Sequence, residues 1–136
     1  AMTMRMVLKP QTLDTIVATN LHADILSDLA AALAGSLGIA PTANLNPERK
    51  FPSMFEPIHG SAFDIVGKGI ANPIGTFWTG VMMLDHLGEP RAAERLMRAI
   101  ERVTADSTLH TPDLGGKATT RQVTDAVVAA LVGDNL

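Results

Sequence analysis

Asn20-Leu21-His22-Ala23-Asp24-Ile25-Leu26-Ser27-Asp28-Leu29 is the stretch on which the reading of this chain turns. Its apolar positions recur at helical spacing. Leu21, Ile25 and Leu29 form one stripe, with Leu26 and Leu33 beside it. The same spacing stacks Asp24 and Asp28 on one face, a single turn apart. Two carboxylates so placed repel each other and weaken an isolated helix. Spacing alone leaves two readings open. Either both aspartates face solvent on an amphipathic helix, or they share a hard divalent cation, because magnesium and manganese take carboxylate oxygens.

Upstream, Thr15-Ile16-Val17-Ala18-Thr19 is a short β-branched run, which predicts a buried strand. Asn20 is placed to cap the following helix and Gly35 to end it. A strand leading into this helix would set the aspartates beyond a strand's carboxyl end, where open α/β sheets gather ligands. Ala1 to Leu8 reads as the end of a helix already under way, stopped by Lys9-Pro10. A domain rarely begins inside an element, so the chain is expected to be a fragment, with Ala1 a residue of a cleaved tag.

Downstream, Gly38 to Leu45 predicts a second strand and Asn46 to Lys50 a charged surface loop. Phe55-Glu56-Pro57-Ile58-His59-Gly60-Ser61-Ala62-Phe63-Asp64-Ile65 follows, then Gly67-Lys68-Gly69-Ile70-Ala71-Asn72-Pro73. The latter superficially resembles a dinucleotide glycine fingerprint but ends on Asn72 and lacks a preceding strand of suitable length. It does give a backbone-exposing loop that runs into a helix, with Asn72 as expected N-cap and Pro73 as first residue. Amides free at that helix start suit a phosphate, Asp64 suits a ribose diol, and His59 suits a base. Each residue also has a plain structural role available, as a cap, a turn or a bonded loop histidine.

Ile74, Phe77, Val81, Leu84 and Leu87 then form a core stripe, closed by Gly88. Pro90 opens a helix with Ala93, Leu96, Met97, Ile100 and Val103 inward. Arg91, Glu94, Arg95, Arg98, Glu101 and Arg102 are expected in water, with Glu94 and Arg98 paired. His110 to Gly116 is a turn-rich loop. Thr119 to Gln122 has the form of a capping box for a last helix, with Val123, Ala126, Val127, Ala130 and Leu131 inward.

The totals narrow the class. The chain has 136 residues, 46% hydrophobic and 18% charged, which suits one ordered globular unit rather than a disordered one. Net charge is −3 and the 11 basic residues are scattered, which argues against nucleic acid as a partner. Absence of cysteine excludes disulfides, thiolate metal sites and a cysteine nucleophile. No run is long and apolar enough to span a bilayer and no secretory signal opens the chain, so no membrane role and a cytoplasmic location are expected.

Asn20 to Asp28, Phe55 to Ala62, Gly67 to Pro73 and Thr119-Thr-Arg-Gln-Val-Thr-Asp-Ala126, in this order and spacing, resemble the β-decarboxylating dehydrogenases. That family includes isopropylmalate, isocitrate, D-malate and tartrate dehydrogenases. Ala40 to Arg49 followed by Phe51-Pro-Ser-Met-Phe55 looks most like its tartrate and D-malate branch. The resemblance implies an α/β fold, the C-terminal part of the isocitrate/isopropylmalate dehydrogenase-like architecture. Residues 1–35 would then be a remnant of the smaller dimerisation and metal-binding domain, and 36–136 part of the larger NAD-binding domain.

It also implies that Asp24 and Asp28 are ligands of Mg²⁺ or Mn²⁺, which in such enzymes chelates the substrate's hydroxyl and carboxylate. It assigns Glu56, His59, Gly60, Ser61, Ala62, Asp64, Ile65 and Asn72 to the dinucleotide, with Asp64 favouring NAD over NADP. The family's substrate arginines, catalytic tyrosine and catalytic lysine precede the matched part, so no catalytic residue is expected within this chain. A third metal carboxylate, lent across a dimer, would fall just before Ala1. His22 and Ala23 stand where the family more often has Phe-Gly.

The expected function is thus part of an NAD- and metal-dependent oxidoreductase that decarboxylates 2-hydroxy diacids of the tartrate or D-malate type, acting as a homodimer. A folded but inactive fragment and a 3-isopropylmalate dehydrogenase are the alternatives, with a non-enzymatic interaction module as a third class.

Overall fold

The structure, a computed structural model, describes residues 1–133. The last three residues of the 36–136 segment lie outside that range. The elements run α1 (Met2–Leu8), a 3-10 turn (Pro10–Thr12), α2 (Asn20–Ala34), a second turn (Leu37–Ile39), β1 (Pro41–Asn44) and β2 (Met54–Pro57). Then come α3 (Ile74–His86), α4 (Pro90–Thr104), the turns Ser107–Leu109 and Pro112–Leu114, and α5 (Thr120–Gly133).

The core lies between the last three helices. Ile74 of α3, Ala99, Ile100 and Val103 of α4, and Val123, Val127 and Ala130 of α5 are buried together. Phe77, Trp78, Val81 and Leu96 close around them. These positions are the stripes that the 3.6-residue period marked, joined by Ala99, which is fully buried. α5 is started by a reciprocal capping box. The Gln122 amide donates to Thr119 Oγ1 at 3.2 Å while the Thr119 amide donates to Gln122 Oε1 at 2.8 Å.

β1 and β2 form a two-stranded antiparallel ribbon, with Pro41 opposite Pro57 and Asn44 opposite Met54. A proline at one end of each strand cannot donate to the ladder and limits the ribbon to four residues a side. α3 packs on both strands. The connecting loop is tied to the end of α3: Arg49 donates to the His86 carbonyl at 2.5 Å, and Phe55 and His86 pack ring on ring at 5.5 Å. Arg49 itself takes a left-handed φ of 54°.

Six expectations are corrected. Asn20 is the first residue of α2 rather than its cap; Thr19 stands in the cap position, with no side-chain cap bond. Leu87 caps the end of α3 at 61% exposure instead of joining its core stripe. Thr15 to Thr19 forms no strand, since β1 and β2 make the sole ladder among the described residues; Val17 is 97% exposed. β-branched propensity acts only where a neighbouring edge supplies hydrogen bonds. The predicted strand over Gly38 to Leu45 begins at Pro41, because Ser36 Oγ accepts the Gly38 amide at 2.9 Å and winds Leu37–Ile39 into a turn. α3 starts one residue later than expected, with Pro73 in the cap position, although Asn72 Oδ1 still accepts the Ile74 amide at 3.0 Å. Arg95 turns from the solvent face of α4 to donate to the Leu131 carbonyl of α5 at 3.2 Å. Glu94 and Arg98 do pair, at 2.8 Å.

α2 packs on α1 and on the Leu37–Ile39 turn. Leu21, Ile25 and Leu33 of α2 stay exposed, as do Met4, Val7 and Leu8 of α1. No helix among the described residues is long and apolar enough to cross a membrane.

Candidate functional site

Between the Leu37–Ile39 turn, the loop from β2 to α3, the Pro112–Leu114 turn and the start of α5 lies a cleft of about 900 Å³. Leu37, Ile65, Val66 and Ile70 give it apolar walls. The loop folds over itself through left-handed Gly67 and Gly69, at φ 75° and 64°, a conformation that side chains with a Cβ rarely take. The start of α5 holds it down. Thr120 donates its amide to the Gly69 carbonyl at 2.9 Å and its hydroxyl to the Ala71 carbonyl at 2.5 Å.

At the other end of the cleft stands the Asp113 carboxylate. Oδ2 accepts from the Ser36 hydroxyl at 2.5 Å and from Asn72 Nδ2 at 2.9 Å, and Oδ1 accepts from the Thr111 hydroxyl at 2.5 Å. Partial burial pushes this carboxyl up, but the bonds from Ser36, Thr111 and Asn72 pull it further down. It ends below its ordinary value. Gly38 makes room for the arrangement: a Cβ there would stand 2.7 Å from Asp113 Oδ2 and 2.9 Å from Asn72 Cβ.

Of the residues expected to hold a dinucleotide, His59, Gly60, Ala62, Ile65 and Asn72 line this one cleft. Ser61 and Asp64 sit exposed on the same loop, outside the lining. Glu56 is exposed on β2, opposite Thr42, and likewise outside the lining. His59 Nδ1 lies 3.3 Å from the Gly60 carbonyl. The start of α3 is less open than expected. Its Ile74 amide is taken by Asn72, and a Cβ on Gly75 would stand 2.9 Å from the Gly38 carbonyl, so backbone covers the helix end.

A dinucleotide needs a largely apolar slot for its base and exposed backbone for its phosphates, and both are present here. The cleft fits the group.

Asp24 and Asp28 stand one turn apart on α2, both exposed. Their oxygens fit a hard cation, yet Mg²⁺ asks for six oxygens and no group of three or more His, Cys, Asp or Glu gathers among the described residues. Two carboxylates by themselves are too few to fill such a shell.

Ser36, Gly38, Asp113 and Thr120 were not found from the sequence. Pro112-Asp113 in a glycine-rich turn was a visible signal for a bonded aspartate, but its partners Ser36 and Asn72 are 77 and 41 residues away.

A cleft of about 900 Å³ thus lies against helices packed on a small two-stranded sheet, and two aspartates stand one turn apart on α2. The family model of isocitrate/isopropylmalate dehydrogenase matches residues 1–127, and the chain belongs to that family. Over all 136 residues it is 75% identical to a probable tartrate dehydrogenase/decarboxylase of Agrobacterium vitis, of which it covers 37%. Over 128 residues it is 56% identical to the D-malate dehydrogenase [decarboxylating] of Escherichia coli (strain K12), covering 90% of this chain and 35% of that protein. The solved isocitrate dehydrogenase of Methylococcus capsulatus superposes with a TM-score of 0.89 at 46% identity, over 96% of this chain and 38% of that one. The chain thus spans a little over a third of the length of these relatives.

Proposed function

We propose that this chain forms part of an NAD- and divalent-metal-dependent oxidoreductase that acts on a 2-hydroxy diacid of the tartrate or D-malate type, by oxidative decarboxylation. The observation that carries the reading is the gathering of His59, Gly60, Ala62, Ile65 and Asn72 around one cleft of about 900 Å³. The names of the relatives favour tartrate and D-malate over 3-isopropylmalate.

In this reading the walls of Ile65 and Val66 take the adenine, the His59 ring stacks on it or bonds to it, and the loop from Gly60 to Gly69 offers amides to the pyrophosphate. Asp64 and Glu56, exposed beside the cleft, reach the ribose diol and the nicotinamide end. Asp24 and Asp28 hold Mg²⁺ or Mn²⁺. The cation, when bound, supplies positive charge beside the substrate's hydroxyl and carboxylate. Residues 1–35 belong to the smaller domain and the rest to the larger nucleotide domain. The exposed apolar stripe of α1 and α2 packs against a second copy in a homodimer. The acid–base and substrate-orienting groups lie outside this segment, so the 136-residue chain alone is expected to bind without turning over.

Calorimetric titration of the purified chain with NAD⁺ tests the reading. Saturable one-to-one binding that weakens in Asn72→Ala supports it. No heat at millimolar NAD⁺ from a folded sample would sink the nucleotide assignment.

A further inference from the structure

Among the described residues, four polar side chains are buried: Ser36, Asn72, Thr79 and Thr111. Thr79 merely donates to the Gly75 carbonyl within its own helix. The other three all donate to the same acceptor, the Asp113 carboxylate. They come from three separate segments: the second residue after the end of α2, the loop leading into α3, and the turn before α5. A buried hydroxyl or amide is costly unless bonded, so three such groups converging on one carboxylate fix three loops relative to one another. All three partners are neutral, which leaves the negative charge of Asp113 without a cation among them. Charge balance therefore does not explain the cluster. Asp113 also lines the cleft, as do Ser36 and Asn72.

We propose that Asp113 is the positioning residue of the cleft, its carboxylate gathering Ser36, Asn72 and Thr111 so that the cleft keeps its ligand-binding shape before any ligand arrives. The functional part of this proposal rests on the nucleotide reading above. Its structural part does not. Through Ser36 the same carboxylate grips the segment that leaves α2. Oδ2 serves Ser36 and Asn72 together, so losing the oxygen releases both loops. Asp113→Asn keeps the volume but turns one acceptor into a donor that faces donors. Ser36→Ala removes two bonds, the one to Asp113 and the one from the Gly38 amide, so in that variant Ile74 is the readout that tests the network. Ser36→Thr keeps the hydroxyl in an extended backbone that a β-branched residue tolerates.

Amide hydrogen exchange by NMR on the intact 136-residue chain tests the proposal without any ligand, and NAD⁺ titration of the same samples follows. The Gly38 and Ile74 amides bond directly to side chains of the network, and the Val127 amide inside α5 reports on the core. The expected result is a loss of protection at Gly38 and Ile74 of about tenfold or more in Asp113→Asn and Ser36→Ala. Protection at Val127 should stay unchanged, and Ser36→Thr should recover it at Gly38. NAD⁺ affinity should fall about tenfold in the same two variants and recover in Ser36→Thr. Unchanged protection at Gly38 and Ile74 in both variants would overturn the proposal whatever NAD⁺ does. Lost protection in a chain whose wild type shows no NAD⁺ binding would uphold the positioning role and remove the nucleotide reading alone. Equal loss at Val127 in both variants would make Asp113 a residue of general stability and refute its role as the cleft's organiser.

Discussion

Thr120 donates its hydroxyl to the carbonyl of Ala71, 49 residues earlier, at 2.5 Å. With the bond from the Thr120 amide to Gly69, it fastens the first turn of α5 to the glycine-rich loop. The loop turns through two left-handed glycines, and these two bonds tie it to the helix. Thr120→Val keeps shape and loses the hydroxyl bond. NAD⁺ affinity should fall about fivefold, because one hydrogen bond is worth about 1 kcal/mol net. Calorimetric titration beside a thermal melt separates this from a stability effect. The melt should fall by only about 4 °C, which leaves the sample folded at the titration temperature.

Stability should depend on Asp113 at the acid end. Burial pushes its carboxyl up and the bonds from Ser36, Thr111 and Asn72 outweigh that, leaving the folded-state value below the ordinary one. A group depressed in this way stabilises the fold fully above its ordinary value, about pH 4, and the contribution is lost as pH falls through the folded value. Asp106 is shifted in the same direction by the side-chain and amide bonds from Thr108, so the wild type alone mixes the two. Urea midpoints at pH 7 and about pH 3 should therefore be compared with those of Asp113→Asn. The variant should lose less on acidification, and an equal loss in both would contradict the assignment.

The acidic pair gives a prediction with opposite signs in two buffers. Without metal, Asp24→Asn with Asp28→Asn removes a like-charge pair one turn apart and should steady α2 by a few tenths of a kcal/mol. With Mn²⁺, the wild type should enhance water proton relaxation and the double variant should not. A wild-type chain that gives no such enhancement at millimolar Mn²⁺ would show that two carboxylates are too few to hold the ion.

Core and surface should respond very differently. Ile100 is 3% exposed and packed among α3, α4 and α5, so Ile100→Ala should cost about 2–5 kcal/mol by urea denaturation. Arg98→Ala breaks the exposed Glu94 pair on the same helix and should cost at most about 0.5 kcal/mol.

Gly75→Ala puts a Cβ 2.9 Å from the Gly38 carbonyl and 3.2 Å from that of Ala40. Both neighbours are backbone and cannot swing away. The seat of α3 on the turn should loosen, at a cost of about 1–3 kcal/mol. A melt unchanged from wild type would show that the turn yields freely.

The sequence carried the helices well, because helical burial is a local matter. The stripes of α3, α4 and α5 repeat every three or four residues, and Thr119 with Gln122 announces its helix within four positions. The strands were less legible. Thr15 to Thr19 has the composition of a strand, but a ladder is made by two segments, and one segment cannot reveal whether its mate is there. Arg95 looked like its charged neighbours on α4 until the end of α5 came within its reach. The cleft was half legible. His59 to Ile65 and Asn72 stand in one recognisable loop, whereas Ser36, Asp113 and Thr120 reach it across the fold, and no spacing ties them to it.

The distances along the chain between the partners of the cleft also set an order of events. Ser36 to Asp113 spans 77 residues, Ala71 to Thr120 spans 49 and Asn72 to Asp113 spans 41. Loops of that size are entropically expensive to close, whereas the turns of α3 to α5 close over three or four residues. The helical core should form first as the chain folds, and the cleft should be the last part to assemble. On unfolding it should be the first to open, at denaturant concentrations that leave the Trp78 environment intact. The part of the molecule that would meet a ligand is then also the part that a ligand would stabilise most.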